Sequence, residues 1–139
     1  MAPAWGEIAL LDLPAALIPR MSVVDVVPEP LDFRYRFWGT RITEVHRYDL
    51  TGRSVRDLTP SVCADAIFRQ YVEVIQARAP RGFITEVPLE FGRVTFYATI
   101  RLPLSTDGKT VDKVLNADEY GDEQRSLERV FEALVAEDS

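Results

Sequence analysis

The sequence has 139 residues, a formal net charge of −6 and a pI near 4.8, with 47% hydrophobic and 27% charged residues. That length suits one domain with room for a core, and the acidic balance disfavours nucleic acid and anionic membrane surfaces, whose binding draws on clustered Lys and Arg. Cys63 is the only cysteine, so there is neither a disulfide framework nor a thiolate cluster for zinc, as expected in a reducing cytoplasm.

In chain order, Ile8 to Ile18 is the longest apolar run, and Asp12 and Pro14 interrupt it before it could span a bilayer. It also lacks the basic start and small-residue cleavage site of a signal peptide. Trp5 to Ile18 therefore reads as a short N-terminal helix or irregular arm. "MSVVDVV" predicts a strand ended by Pro28-Glu29-Pro30. "DFRYRFWG" predicts a second, in which Phe33, Tyr35 and Phe37 alternate with Arg34, Arg36 and Trp38, giving one apolar and one polar face.

Behind Thr40 as a candidate N-cap, Ile42 and Val45 fall at helical spacing, predicting a short helix closed before Asp49. Thr51-Gly52 is a turn, and "SVRDL" allows one further helical turn. The strongest helix signal starts at Thr59-Pro60, an N-cap with proline at the first helical position, and runs to Pro80. Ala64, Ile67, Phe68, Tyr71, Val72 and Ile75 form its apolar stripe, with Asp65, Arg69, Glu73 and Gln76 opposite.

Beyond Pro80 the period switches to two. "RGFITEVPLEF" and "RVTFYATIRLPL" flank Gly92 as a hairpin, and Val94, Phe96, Ala98, Ile100 and Leu102 share the apolar face of the second strand. Asp107-Gly108 marks another hairpin turn before the last strand, "VDKVLNADEY". From Asp122 the tail reads as a helix, about 122–137, with a stripe of Leu127, Val130, Phe131, Leu134 and Val135. Two strands, helices and then three strands imply an α+β domain whose antiparallel sheet is covered on one face.

"DFRYRFWGT" followed by "YDLTGRSVRDLTP", a strand start in "PRMSVVDV" and a late hairpin "RLPLSTDGKTVDKVL" resemble the stand-alone bacterial PAS family long catalogued as a domain of unknown function. The resemblance runs from about Leu13 to Tyr120, leaving the C-terminal helix outside a single domain of residues 1–139. Arg47 departs from it, standing where such sequences often place glycine before the aromatic-Asp pair. The resemblance implies a five-stranded antiparallel sheet with helices over one face, plus N- and C-terminal helices. It also implies a small-molecule cavity between helices and sheet, and pairing with another copy or an effector. The candidate cavity residues are Tyr35, Phe37, His46, Tyr48, Phe68, Tyr71, Val87, Phe96 and Ala98. Gly39, Thr51, Gly52 and Arg53 are turn residues, and Leu127, Val130, Phe131 and Leu134 are candidate dimer contacts.

The aromatic set, with Phe33 and Phe91, would equally fill a solid core. Tyr35, Tyr71 and Tyr97 carry hydroxyls that need partners when buried. The single histidine, His46, is the residue a haem sensor would use axially, but its place beside Arg41, Glu44 and Arg47 reads better as solvent-facing or capping. Cys63 lies in "PSVCADA", outside the asparagine- and arginine-containing motif of flavin photosensors, and reads as a small apolar residue in the first turn of a helix. The residues thus disfavour haem, flavin and metal, and no cofactor is evident. Arg34, Arg36 and Arg101 are a candidate convergent anion clamp, or else a solvated sheet face. Glu86, Glu90 and Asp25 are candidate paired carboxylates. No nucleophile triad, phosphate-cradling loop or metal spacing appears.

The expectation is a cytoplasmic, homodimeric, non-catalytic sensory or regulatory domain that binds a small molecule, a protein effector or both. No partner in nucleic acid or membrane is expected, and no attached output module is seen, so any signal passes by association. The competing readings are a structural interaction module with a filled core and, less favoured, a small α+β enzyme.

Overall fold

Period-two alternation builds a sheet from five segments of the chain. The computed structural model describes residues 17–88 and 94–119. After a 3-10 turn at Ile18–Arg20, β1 spans Met21–Pro28 and β2 spans Leu31–Trp38. Two helices follow, α1 at Thr40–His46 and α2 at Ser61–Ala77, with a 3-10 turn at Val55–Asp57 between them. The chain then forms β3 (Arg81–Pro88), β4 (Val94–Leu104) and β5 (Lys113–Glu119). The strand order is β2-β1-β5-β4-β3, antiparallel throughout, so the first and last strands meet at the centre. The predicted N-terminal arm or helix, the residues around Gly92 and the C-terminal helix with Leu127, Val130, Phe131 and Leu134 lie outside the described residues.

Both helix starts shift by one residue from expectation. The α1 cap is Gly39, not Thr40. Its N–H donates to Met21 O at 2.8 Å, and a Cβ there would fall 2.3 Å from Pro19 O. Only glycine permits so close a backbone approach. The α2 helix begins at Ser61 with Pro60 in the cap position. It ends at Ala77 rather than Pro80, because Arg78 turns left-handed (φ 55°) and its N–H bonds Val74 O. Ala64, Ile67, Tyr71 and Val74 are its buried face, packed with Val24, Phe33, Tyr35, Trp38, Ile42, Leu50, Val55 and Leu58 over one side of the sheet.

The other side of the sheet carries a second apolar cluster: Leu17, Met21, Val23, Ile100, Leu102, Leu104, Leu115 and Ala117, with Phe37 and Ala98 partly buried against it. Phe37 is there because strict alternation fails in β2. Val24 pairs with Tyr35 but Val23 pairs with Phe37, so Arg36 is an extra residue, a β-bulge. One inserted residue inverts the faces beyond it. Phe33 and Tyr35 point to the helices, Phe37 turns to the opposite cluster, and Trp38 takes the place beneath α1.

The stretch after α1 covers β2, which is an edge strand. Gly52 N–H donates to Tyr35 O at 2.7 Å, and Tyr35 N–H donates to Arg53 O at 2.9 Å. Gly52 adopts φ 82°, as the turn requires. Asp49 Oδ1 accepts from Thr51 N and Thr51 Oγ1 at 2.8 and 2.6 Å, and Arg53 pairs with Asp57. Asp49, Thr51, Arg53 and Asp57 are thus absorbed in loop structure.

Candidate functional site

The face of β4 and β5 turned to the helices is polar. On β4 it carries Tyr97, Thr99 and Arg101, and on β5 it carries Asn116 and Asp118, while Ala98, Ile100, Leu102, Leu115 and Ala117 face the opposite cluster. All five inward polar residues are buried, with Arg101 3% and Asn116 0% exposed. Burying a charge is costly unless hydrogen bonds replace its water. Arg101 Nη1 donates to Asn116 Oδ1 at 2.9 Å. Its Nε and Nη2 donate to Gln70 Oε1 of α2 at 3.0 and 2.8 Å, and its guanidinium lies 4.4 Å from the Tyr71 ring centre. Asn116 Nδ2 in turn donates to Tyr71 Oη at 2.8 Å and to Ser22 Oγ at 3.1 Å, and Thr99 Oγ1 donates to Asp118 Oδ1 at 2.8 Å.

This network floors a cavity of about 20 Å³ between sheet and helices, lined by Ser22, Tyr35, Trp38, Ile42, His46, Leu58, Ile67, Tyr71, Tyr97, Arg101 and Asp118. Its volume suits one or two waters or a molecule of a few atoms. Trp38 is 6% exposed, and its indole N–H has no hydrogen-bond partner among the described residues. The rings of Tyr35, His46 and Tyr48 lie 4.8, 5.5 and 6.1 Å from that of Trp38.

Burial pulls the Arg101 pKa down, but Tyr71, Tyr97 and Asp118 more than offset it, so the guanidinium stays charged. Burial raises the phenols of Tyr35, Tyr71 and Tyr97, which remain hydrogen-bond donors at neutral pH. Burial lowers the His46 pKa, with Asp118 opposing the shift.

Of the residues predicted for a cavity, the fold brings together Tyr35, His46 and Tyr71. His46 lines the cavity instead of facing solvent, because it stands one helical turn after Ile42, which is 2% exposed. The Arg41–Glu44 ion pair occupies the outer side of α1. Tyr48 and Phe68 pack on the same core without lining the cavity. Phe68 stacks edge-on against Phe33 at 5.1 Å, and Tyr48 Oη accepts from Thr59 N at 3.2 Å. Phe37 and Ala98 lie against the opposite cluster. The side chains of Val87 and Phe96 lie outside the described set, as do Glu86, Glu90 and the ring of Phe91.

The three arginines do not converge. Arg36 is exposed and holds Asp25 with its Nε at 2.9 Å, Arg34 is exposed, and Arg101 is interior on β4. Cys63 sits in the first turn of α2 and is not among the lining residues. Among the described residues, no group of three or more His, Cys, Asp or Glu is placed to hold a metal ion, and no helix is long and apolar enough to cross a membrane. The lining residues that sequence reading missed include Ser22, Trp38 and Asp118, while Arg101, expected only as part of an arginine clamp, lines the cavity without the other two arginines. A signal for Arg101 and Asp118 was present: in "RLPL" and "LNAD" the polar member of each alternation faces inward.

No protein-family model matches the sequence, and no curated protein matches it. Solved structures do. The PAS domain of Bordetella pertussis BvgS aligns with a TM-score of 0.60 at 17% identity, over 86% of this chain and 91% of that one. A PAS domain from Colwellia psychrerythraea aligns with a TM-score of 0.55 at 10% identity, over 81% and 98%. The LOV domain of the blue-light photoreceptor Aureochrome1 in its dark structure aligns with a TM-score of 0.58 at 12% identity, over 93% and 94%. At such identities the likeness speaks to architecture: the chain has the PAS fold.

Proposed function

We propose that this chain is a cytoplasmic sensory or regulatory PAS domain that holds a small molecule between sheet and helices. It transmits occupancy by association with a second chain, another copy or a protein effector, and catalyses no reaction. The observation that carries this reading is the buried, unpartnered indole N–H of Trp38 in the wall of a polar cavity. An unmet buried donor costs free energy, which a bound acceptor recovers. The cavity lies beneath α1 and α2, so a ligand larger than a few atoms enters only as these helices lift from the sheet, and that movement is a signal a partner can read.

Native mass spectrometry of freshly purified protein, set against its denatured mass, tests ligand retention. The expected result is an added mass or, after its loss, a thermal shift with members of a metabolite panel; neither appearing overturns the ligand reading. The association half is tested by Leu127→Glu and Phe131→Glu in the C-terminal segment, which should convert a dimer to a monomer by hydrodynamic size. The small volume of the cavity favours one other reading, an interaction module whose core is filled. It predicts dimerisation with no ligand response.

A further inference from the structure

Resting on that reading of the cavity, we infer that its ligand is a small molecule that accepts hydrogen bonds and donates none, such as a ketone or a nitrile. The lining side chains hold more protons to donate than acceptors to receive them. The guanidinium of Arg101 fixes the Asn116 amide, because only the amide oxygen can face it. The Asn116 NH₂ is thereby turned to Ser22 and Tyr71 and donates to both hydroxyls, so each still has its own proton to place. The Tyr35 and Tyr71 hydroxyls bond each other, which uses one of their two protons and leaves one over. Trp38 adds an indole N–H with no partner among the described residues, and Arg101 spends three of its five donors, on Gln70 and Asn116. Asp118 does not absorb this surplus: it is engaged by Thr99 and by a further interaction, and none of these donors bonds it. Ser22, Tyr35, Trp38, Tyr71 and Arg101 all line the same cavity of about 20 Å³, which limits the occupant to a few heavy atoms. Water does not resolve the imbalance, since it brings as many donors as acceptor sites, and the neutral imidazole of His46 brings one of each. A group with lone pairs and no proton resolves it.

Acetone and 2-propanol have the same heavy atoms and nearly the same shape, and differ in that the alcohol adds a donor. The chain has two tryptophans, Trp5 and Trp38, so Trp5→Phe assigns the Trp38 indole N–H resonance by elimination in ¹⁵N-labelled protein. In the native chain we expect acetone to move that resonance saturably and downfield, as an N–H does on meeting an acceptor, with a dissociation constant on the order of millimolar or weaker. Acetonitrile, one heavy atom smaller and also without a donor, should do the same. Binding of 2-propanol should be at least about fivefold weaker than that of acetone, because its hydroxyl proton enters a site that has no acceptor for it. Equal or tighter binding of 2-propanol overturns the inference, as does the absence of a saturable response to both acetone and acetonitrile. A retained ligand in the native mass spectrum together with either of those results sinks the ligand class and leaves the sensory reading intact.

Discussion

Asn116 of β5 and Arg101 of β4 face each other across the sheet, the Asn116 amide oxygen accepting from the guanidinium at 2.9 Å while its NH₂ reaches Tyr71 of α2 and Ser22 of β1. One side chain therefore ties three strands to the long helix. Asn116→Leu removes the acceptor of a buried charge and strands two hydroxyls. The expected loss is about 3 kcal/mol, the scale of unpaired buried polar groups, measured by urea unfolding. Tyr71→Phe removes the hydroxyl that bonds both Asn116 and Tyr35 and should cost about 1–2 kcal/mol. An Asn116→Leu protein as stable as the native chain would show that the network contributes no stability.

Gly39 makes a second sharp test. Its missing side chain lets the start of α1 touch the backbone before β1, where a Cβ would stand 2.3 Å from Pro19 O and 2.8 Å from Met21 O. Both neighbours are backbone and cannot rotate away. Gly39→Ala should destabilise by about 2–3 kcal/mol, at the upper end of overpacking, and should displace α1. Chemical shifts of His46 and Trp38 report that movement.

Arg47 should behave in the opposite way. It closes α1 with φ 70° and ψ 18°, a left-handed conformation that costs a residue with a Cβ about 1–2 kcal/mol, and its side chain is exposed. Arg47→Gly removes that cost but gives the unfolded chain more freedom, for an expected gain of about 1 kcal/mol in thermal or urea unfolding. A loss of stability would mean that the Arg47 side chain makes a compensating contact.

Much of this architecture was readable from periodicity: five strands, two helices and the glycine turn at Gly52 stand close to where the sequence puts them. The polar lining was harder to read, for two physical reasons. A bulge at Arg36 adds one residue to β2 and turns Trp38 inward and Phe37 outward, and nothing in "FRYRFW" marks where pairing will slip. On β4 and β5 the apolar side chains face one buried cluster while the polar ones face another buried space. The usual inference of apolar inside and polar outside fails when both faces are covered. Arg47 was legible in the other direction: the resemblance expects glycine there, and the backbone adopts the conformation glycine favours.

His46 gives the last prediction, because its burial has a definite sign in pH. Removal from water disfavours the imidazolium, so the folded-state pKa lies below the ordinary value of 6.5, with Asp118 pulling partly in the other direction. Arg101, the cation on the same wall, adds no incentive for a second positive charge. Between the folded-state pKa and 6.5 the unfolded chain binds more protons than the folded one, so stability rises with pH across that window. Stability from this group is present above about pH 6.5 and is lost as pH falls through the window, down to the folded pKa. His46→Gln, which cannot titrate, should lose less stability than the native chain between about pH 7.5 and about pH 5. Urea unfolding of the two proteins along a pH series measures the difference, and an NMR titration of the imidazole locates the folded pKa directly. Parallel stability curves, or an imidazole that titrates at or above its ordinary value, would mean that His46 is solvated or held charged by Asp118.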